Sequence, residues 1–451
     1  MHRRSRRTFL KQATALGLTG VAAPLALNLS AISEAAAQSA SDYKAIVCVF
    51  LYGGNDPYNT LIPYDADRFA RYAALRTDIG LARDALAATA VRPKTPHASG
   101  EYALAPSLAA LKPLFDAGQL AVQLNTGPLI QPTTKAQYIA ASVPLPPKLF
   151  SHNDQQAYWQ ALAQEGSATG WGGRLSDLFA ANNGASTFTA VTAGGSTQLL
   201  AGRHVGAYRV TPQGSTRIEL LGRDLYGSPE CTALLRELTT ASRTHLLEHQ
   251  LAQTVTRSIK ADTQLSAALD GVKAPGAFES PLARQLEIVA RMIAARNKLS
   301  VKRQVFFVSQ NGYDNHDGLR TIHPALLQEL GDAMAVFQGS LGTLGVADQV
   351  TTFTASEFGR TITSNGNGSD HGWGGHHFIM GGAVRGGRFY GEHPELNIEG
   401  PGFVDHGRML PSTSVEQLAS TLGAWFGASA SDLETVFPNL KGFSDKRLAF
   451  I

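Results

Sequence analysis

At 451 residues with 43% hydrophobic composition, the chain is long enough to bury a sizeable core as one large domain or two ordinary ones. Its net charge of +3, with positive residues concentrated at the N-terminus and no later Lys/Arg run, argues against a nucleic-acid surface. The only two cysteines, Cys48 in an apolar run and Cys231 in a polar segment, imply neither a disulfide framework nor thiolate metal ligation.

The opening Ser5-Arg6-Arg7-Thr8-Phe9-Leu10-Lys11 is followed by a mildly apolar stretch to about Leu27 and then by Ala35-Ala36-Ala37. This pattern is that of a twin-arginine signal peptide over residues 1–37, so the twin-arginine translocase is the expected export partner. The apolar run has no polar face, which disfavours an amphipathic helix. No later stretch is long and apolar enough to span a bilayer. The mature chain is therefore expected to be periplasmic or secreted, by a route that carries folded cargo and often a metal.

From Lys44 to Tyr52 a continuous apolar run has the length of a central parallel strand covered on both faces. It ends in Gly53-Gly54-Asn55-Asp56, where two glycines permit a tight turn and Asp56 emerges beside Asn55. The same residues are also ordinary turn chemistry. A helix over Pro106–Phe115 leads into a strand over Leu120–Asn125, and strand-helix-strand alternation favours a parallel α/β sheet. After a Pro-rich loop, Ser151-His152-Asn153-Asp154 opens a helix. Ser151 with Asp154 reads as an N-cap, and a serine there is also placed as a nucleophile beside free helical N–H groups.

Gly170-Trp171-Gly172-Gly173-Arg174 begins another helix, and Ser186–Thr192 reads as a strand. Residues 194–274 break the alternation with a hairpin-like segment and a long polar helix over Pro229–Leu269, read as an insertion or cap. Its His245 and His249 are i,i+4 neighbours that could bind a metal, but with no other ligand type nearby they read as a solvated face. A helix over Pro281–Lys298 precedes the strand Gln304–Ser309, and Asp314 and His316 follow two apart, able to reach one cation. After a helix over Pro324–Leu341, the strand Val350–Thr354 ends in Glu357 and Arg360. A Gly/Asn-rich loop then delivers Asp370 and His371.

Three strands thus end in carboxylate-bearing loops: Asp56, then Asp314 with His316, then Glu357 with Asp370 and His371. Parallel strands would gather those ends on one edge. Clustered carboxylates repel and need cations, which predicts one or two divalent ions, with zinc, manganese, magnesium and calcium left open.

The motifs FLYGGNDPYN, FSHNDQQ, GWGGR, NGYDNHD and SEFGRT with SDHGWGG resemble the DUF1501 family of exported bacterial proteins, related in fold to the alkaline phosphatase and sulfatase superfamily. The resemblance spans nearly the whole mature chain, residues 42–451. It implies a doubly wound, mostly parallel α/β sheet with helices on both faces. By position it places metal ligation on Asp56, Asp314, His316, Glu357, Asp370 and His371, and the nucleophile on Ser151. Arg360 would serve catalysis and bind substrate together with Asn55 and His152. Glu357 is followed by Phe358 where the superfamily commonly has an Asp-His pair, so completion of the site by His371, His376 or His377 stays open.

The expected activity is metal-dependent hydrolysis of phosphate or sulfate esters, small-molecule or polymeric, by Ser151 or a metal-activated water. The alternative is a non-catalytic, metal-stabilised periplasmic binding or surface-assembly protein. A redox enzyme lacks a GxGxxG after a strand or a Cys cluster, and no GxSxG marks a nucleophile elbow.

Overall fold

The computed structural model describes residues 42–451, and the signal-peptide reading of residues 1–37 lies outside them. A ten-stranded sheet organises residues 43–451. In chain order its strands are β1 (Lys44–Tyr52), β2 (Leu120–Gly127), β3 (Ala190–Thr192), β4 (Tyr208–Thr211) and β5 (Gly214–Ser215), then β6 (Arg303–Asn311), β7 (Val350–Ala355), β8 (Gly375–Met380), β9 (Phe389–Tyr390) and β10 (Thr413–Ser414). The spatial order is β9-β2-β8-β7-β1-β6-β3-β4-β5, with β10 paired to β2. Strands β7, β1, β6, β3 and β4 run parallel, whereas β8 is antiparallel to both its neighbours.

The two-sided apolarity of β1 follows from its central position. Successive side chains point to opposite faces. Ala45, Val47, Val49 and Leu51 join one core, and Ile46, Cys48 and Phe50 join the other. The first core is closed by Leu282, Leu286, Val289 and Ile293 and by Leu330, Met334 and Phe337, from helices over Pro281–Ala294 and Leu319–Thr343. The second is closed by Trp171, Leu175 and Phe179 and by Leu418, Leu422 and Phe426, from helices over Trp171–Phe179 and Val415–Phe426. Helices therefore cover both faces, as expected, and each large apolar side chain buried this way contributes roughly 1.5–3 kcal/mol.

Register places the loops. Phe50 lies opposite Ala355 and Tyr52 opposite Asn311, so the segments after β1, β6 and β7 leave the sheet at one edge.

Some elements differ from expectation. The strand read over Ser186–Thr192 is reduced to Ala190–Thr192, because Ser186–Phe188 forms a 3₁₀ turn. The single long helix of the insertion is two, Pro229–Thr240 and Leu246–Leu269, and the insertion's hairpin extends the main sheet as β4 and β5. No helix among the described residues is long and apolar enough to cross a membrane.

Candidate metal centre at the strand ends

Gly53, with φ +117°, and Gly54, with φ +85°, turn the chain sharply at the end of β1. A Cβ on Gly53 would stand 2.7 Å from the carbonyl carbon of Tyr313, so only glycine lets this turn lie against the loop after β6. The Gly53 N–H donates to Glu357 Oε1 at 2.9 Å, tying the ends of β1 and β7 together.

Glu357 is fully buried, and its Oε1 accepts two further hydrogen bonds, from His152 Nδ1 and Gln156 Nε2, each at 2.9 Å. His152 is the first residue of α1 (His152–Ala161), whose N-cap is Ser151. A carboxylate can only accept, so the His152 proton sits on Nδ1 and the Nε2 lone pair points elsewhere. That Nε2 is buried, makes no hydrogen bond, and lies 3.4 Å from Asp314 Oδ2.

The other two imidazoles are held in the same sense. His371 Nδ1 donates to the Phe150 carbonyl at 2.7 Å, and His316 Nδ1 lies 3.2 Å from Asp370 Oδ1. Their Nε2 atoms turn inward, 2.8 Å from each other and 3.4 Å and 3.2 Å from Asp314 Oδ1. Three Nε2 atoms thus converge on one carboxylate, each ring anchored through its Nδ1 to an oxygen. This is the arrangement in which a second layer of acceptors aims imidazoles at a cation. His152, Asp314 and His371 can bring one ligand atom apiece within 4.8 Å of one another. The donor set of imidazole and carboxylate suits zinc or manganese.

Electrostatics fit the same reading. The hydrogen bond to Glu357 raises the His152 pKa above its usual value against the effect of burial. Burial lowers that of His371. Burial works against the Asp314 carboxylate, yet the Arg360 hydrogen bond and charge hold its pKa below the usual range.

Arg360 departs from its expected role. It is fully buried, and its guanidinium donates to the carbonyls of Gly53, Gly54, Tyr313 and Ser369 and to Asp314 Oδ1. With all three nitrogens bonded to protein oxygens and no exposed surface, it positions Asp314 and the loops and presents no face to a substrate. Asp56 is likewise not turned to the cluster. Its Oδ2 pairs with Arg76, its Oδ1 accepts from the Tyr58 N–H at 3.0 Å, and both side chains of the ion pair are sealed from solvent. Asn55 bonds Thr60 and His323 and is 6% exposed, which makes it a structural link rather than a substrate contact. Glu357 and Asp370 stand behind His152 and His316 and orient them. His152, expected to touch substrate, faces Asp314.

Ser151 does occupy the helix N-terminus, but its Oγ makes no capping bond to the backbone and donates instead to Asp154 Oδ2 at 2.8 Å. Asp154 is 4% exposed and has Lys148 Nζ 3.5 Å from its Oδ1. His376 and His377 are buried away from this constellation: His376 Nδ1 accepts from the Asn125 N–H, and His377 packs on Trp159. His249 bonds Gln253 on an exposed helix. Sequence reasoning missed Gln156 and the contribution of Asp154 to more than a cap. Adjacency to Ser151 and His152 on one helix was the available signal.

A family model described as "Protein of unknown function (DUF1501)" matches residues 43–421. No curated protein matches the chain. Among solved structures, the lipoteichoic acid synthase LtaP from Listeria monocytogenes is 8% identical over 88% of this chain and 74% of its own, with a TM-score of 0.34. The PsFucS1 sulfatase from Pseudoalteromonas sp. is 10% identical over 90% and 71%, with a TM-score of 0.33. At these values the likeness bears on neither activity nor ligand.

Proposed function

The chain belongs to the DUF1501 family, and with that membership as premise we propose that it is an exported, metal-dependent hydrolase of phosphate or sulfate esters, periplasmic or secreted. The observation that carries this reading is the convergence of His152, His316 and His371 Nε2 on Asp314 beside a serine at a helix N-terminus. A divalent ion held by these four residues would polarise an ester oxygen and lower the pKa of a nearby hydroxyl or water.

The rest of the chemistry belongs to the chain. Ser151 Oγ is the nucleophile, and its hydrogen already points at the buried Asp154 carboxylate, which takes the proton as the new O–P or O–S bond forms and the bond to the ester oxygen breaks. The departing alkoxide takes a proton from solvent, and water then cleaves the phospho- or sulfoseryl bond, releasing the acid and restoring the serine hydroxyl. The first-turn N–H groups of α1, left without a side-chain cap by Ser151, face the developing negative charge. Lys148, 73% exposed and 3.5 Å from Asp154 Oδ1, is the cation at that helix end. Arg360 holds Asp314 in place.

The test is turnover of a phosphomonoester, phosphodiester and sulfate-ester panel by zinc- or manganese-loaded protein, with bound metal measured separately. The hydrolase reading expects turnover of at least one class, lost on the order of 10²-fold or more in Ser151→Ala with metal retained. Full turnover in Ser151→Ala removes the nucleophile. Stoichiometric metal without turnover of any ester supports the non-catalytic binding or assembly reading.

A further inference from the structure

Of the ten large apolar side chains that stay exposed among the described residues, eight lie between Ile218 and Leu251. They centre on a helix pair, α2 (Pro229–Thr240) and α3 (Leu246–Leu269), joined by a short loop. Helix α2 has no buried residue at all, and in α3 burial begins only at Ala252. Leu234 and Leu238 are one turn apart and 57% and 55% exposed; Leu247 and Leu251 repeat the spacing at 72% and 64%. A twelve-residue helix with no buried face is marginal by itself, because propagation barely offsets nucleation at that length. Something should cover this arm.

The charges around the leucines say what. From Arg217 to Asp262 the sequence carries six acids and six bases, interspersed in sign. A polyanion or an anionic bilayer would call for a surplus of Lys and Arg, which is absent. A neutral surface of alternating charge around an apolar stripe is complementary to itself, and two helical hairpins packed face to face form a four-helix bundle. The eight side chains supply on the order of 700 Å² of apolar surface, close to the roughly 800 Å² that one side of a standard interface buries.

We propose that the arm formed by residues 218–251 docks on the same arm of a second copy of the chain. The interface is isologous, with Leu234, Leu238, Leu247 and Leu251 at its centre. It lies on the insertion and uses none of the residues of the strand-end cluster, so it stands apart from the hydrolase reading.

Sedimentation velocity of the full chain over a concentration series tests it, alongside the double variants Leu234→Glu/Leu238→Glu and Leu247→Glu/Leu251→Glu. All four positions are more than half exposed, so the substitutions leave both cores untouched, which circular dichroism checks. The expected result is a reversible dimer, weakened on the order of 10²-fold or more in either variant. Cys231 gives a second readout in the wild-type chain: it is exposed and on the same helical face as Leu234 and Leu238, whereas Cys48 is buried. Its rate of thiol modification should fall as protein concentration rises. A wild-type chain that stays monomeric overturns the proposal. So does a dimer indifferent to both variants, or an arm that binds phosphatidylglycerol vesicles without self-association.

Discussion

His316 Nε2 and His371 Nε2 lie 2.8 Å apart, although the opposite nitrogen of each ring is already turned to an oxygen acceptor. Two lone pairs cannot face each other at that distance without a proton or a metal cation nearby. Divalent zinc is therefore expected to bind and raise the unfolding temperature, the gain being about 2.7 kcal/mol when free metal is a hundredfold above the dissociation constant. His371→Ala should lose most of this. Calorimetric titration and thermal unfolding with and without metal check it; an unchanged affinity in the variant would exclude His371 as a ligand.

In the proposed centre Glu357 would act on the ion through the hydrogen bond it accepts from His152. Replacing it by glutamine keeps the shape but makes the acceptor neutral and offers a competing donor to His152 Nδ1. Zinc affinity should fall roughly 10–100-fold, as it does when partners behind metal-bound histidines are removed. Competition with a chromophoric chelator measures it. A total loss of binding would instead make Glu357 a ligand.

Asp56 and Arg76 form an ion pair in which the side chains are 1% and 0% exposed. Asp56→Ala leaves a buried guanidinium without its counter-charge and should cost about 3–5 kcal/mol in stability. Metal affinity at the folded site should stay near that of the native protein. Denaturant unfolding paired with metal titration separates this from the role of ligand that its place after β1 suggests.

Burial raises the Glu416 pKa to about 7, against the opposing effect of the Asn439 hydrogen bond. The folded state then holds a proton that the unfolded chain has released, so this group's contribution to stability declines as pH rises from about 4.5 to about 7 and is flat above. Glu416→Gln removes the decline. Relative to the native chain the variant should gain with pH over that window, on the order of 3 kcal/mol by about pH 8. Urea unfolding of both proteins across the window decides it; parallel profiles would refute the buried protonated acid.

How legible all this was in the sequence varies by residue. The apolar runs from Lys44 and Gln304 announce central strands because both faces of each strand are covered, and Asp314 with His316 follows directly from that placement. Long-range partners are where sequence reasoning failed. Nothing local to Asp56 reveals Arg76, which arrives from beyond the intervening helix Ala66–Leu75. Arg360 looks like an anion binder until the fold surrounds it with carbonyls from loops far apart in the chain. Glu357 reads as a ligand because an acid at a strand end is common to both roles, and only the position of His152 tells orienting from ligating. The insertion's helix pair misleads for another reason: α2 buries nothing, so its pattern merges with that of its neighbour.

The Arg360 guanidinium joins carbonyls of the segments after β1, β6 and β7, and its bond to Gly53 spans 307 positions of sequence. Loop length is thereby a shared constraint. One residue added to any of these three turns withdraws a carbonyl from a fork of fixed shape and misplaces the other two, so insertions should accumulate where the fork does not reach, as in residues 194–274. The chain is free to grow at its periphery because one buried side chain forbids growth at its centre.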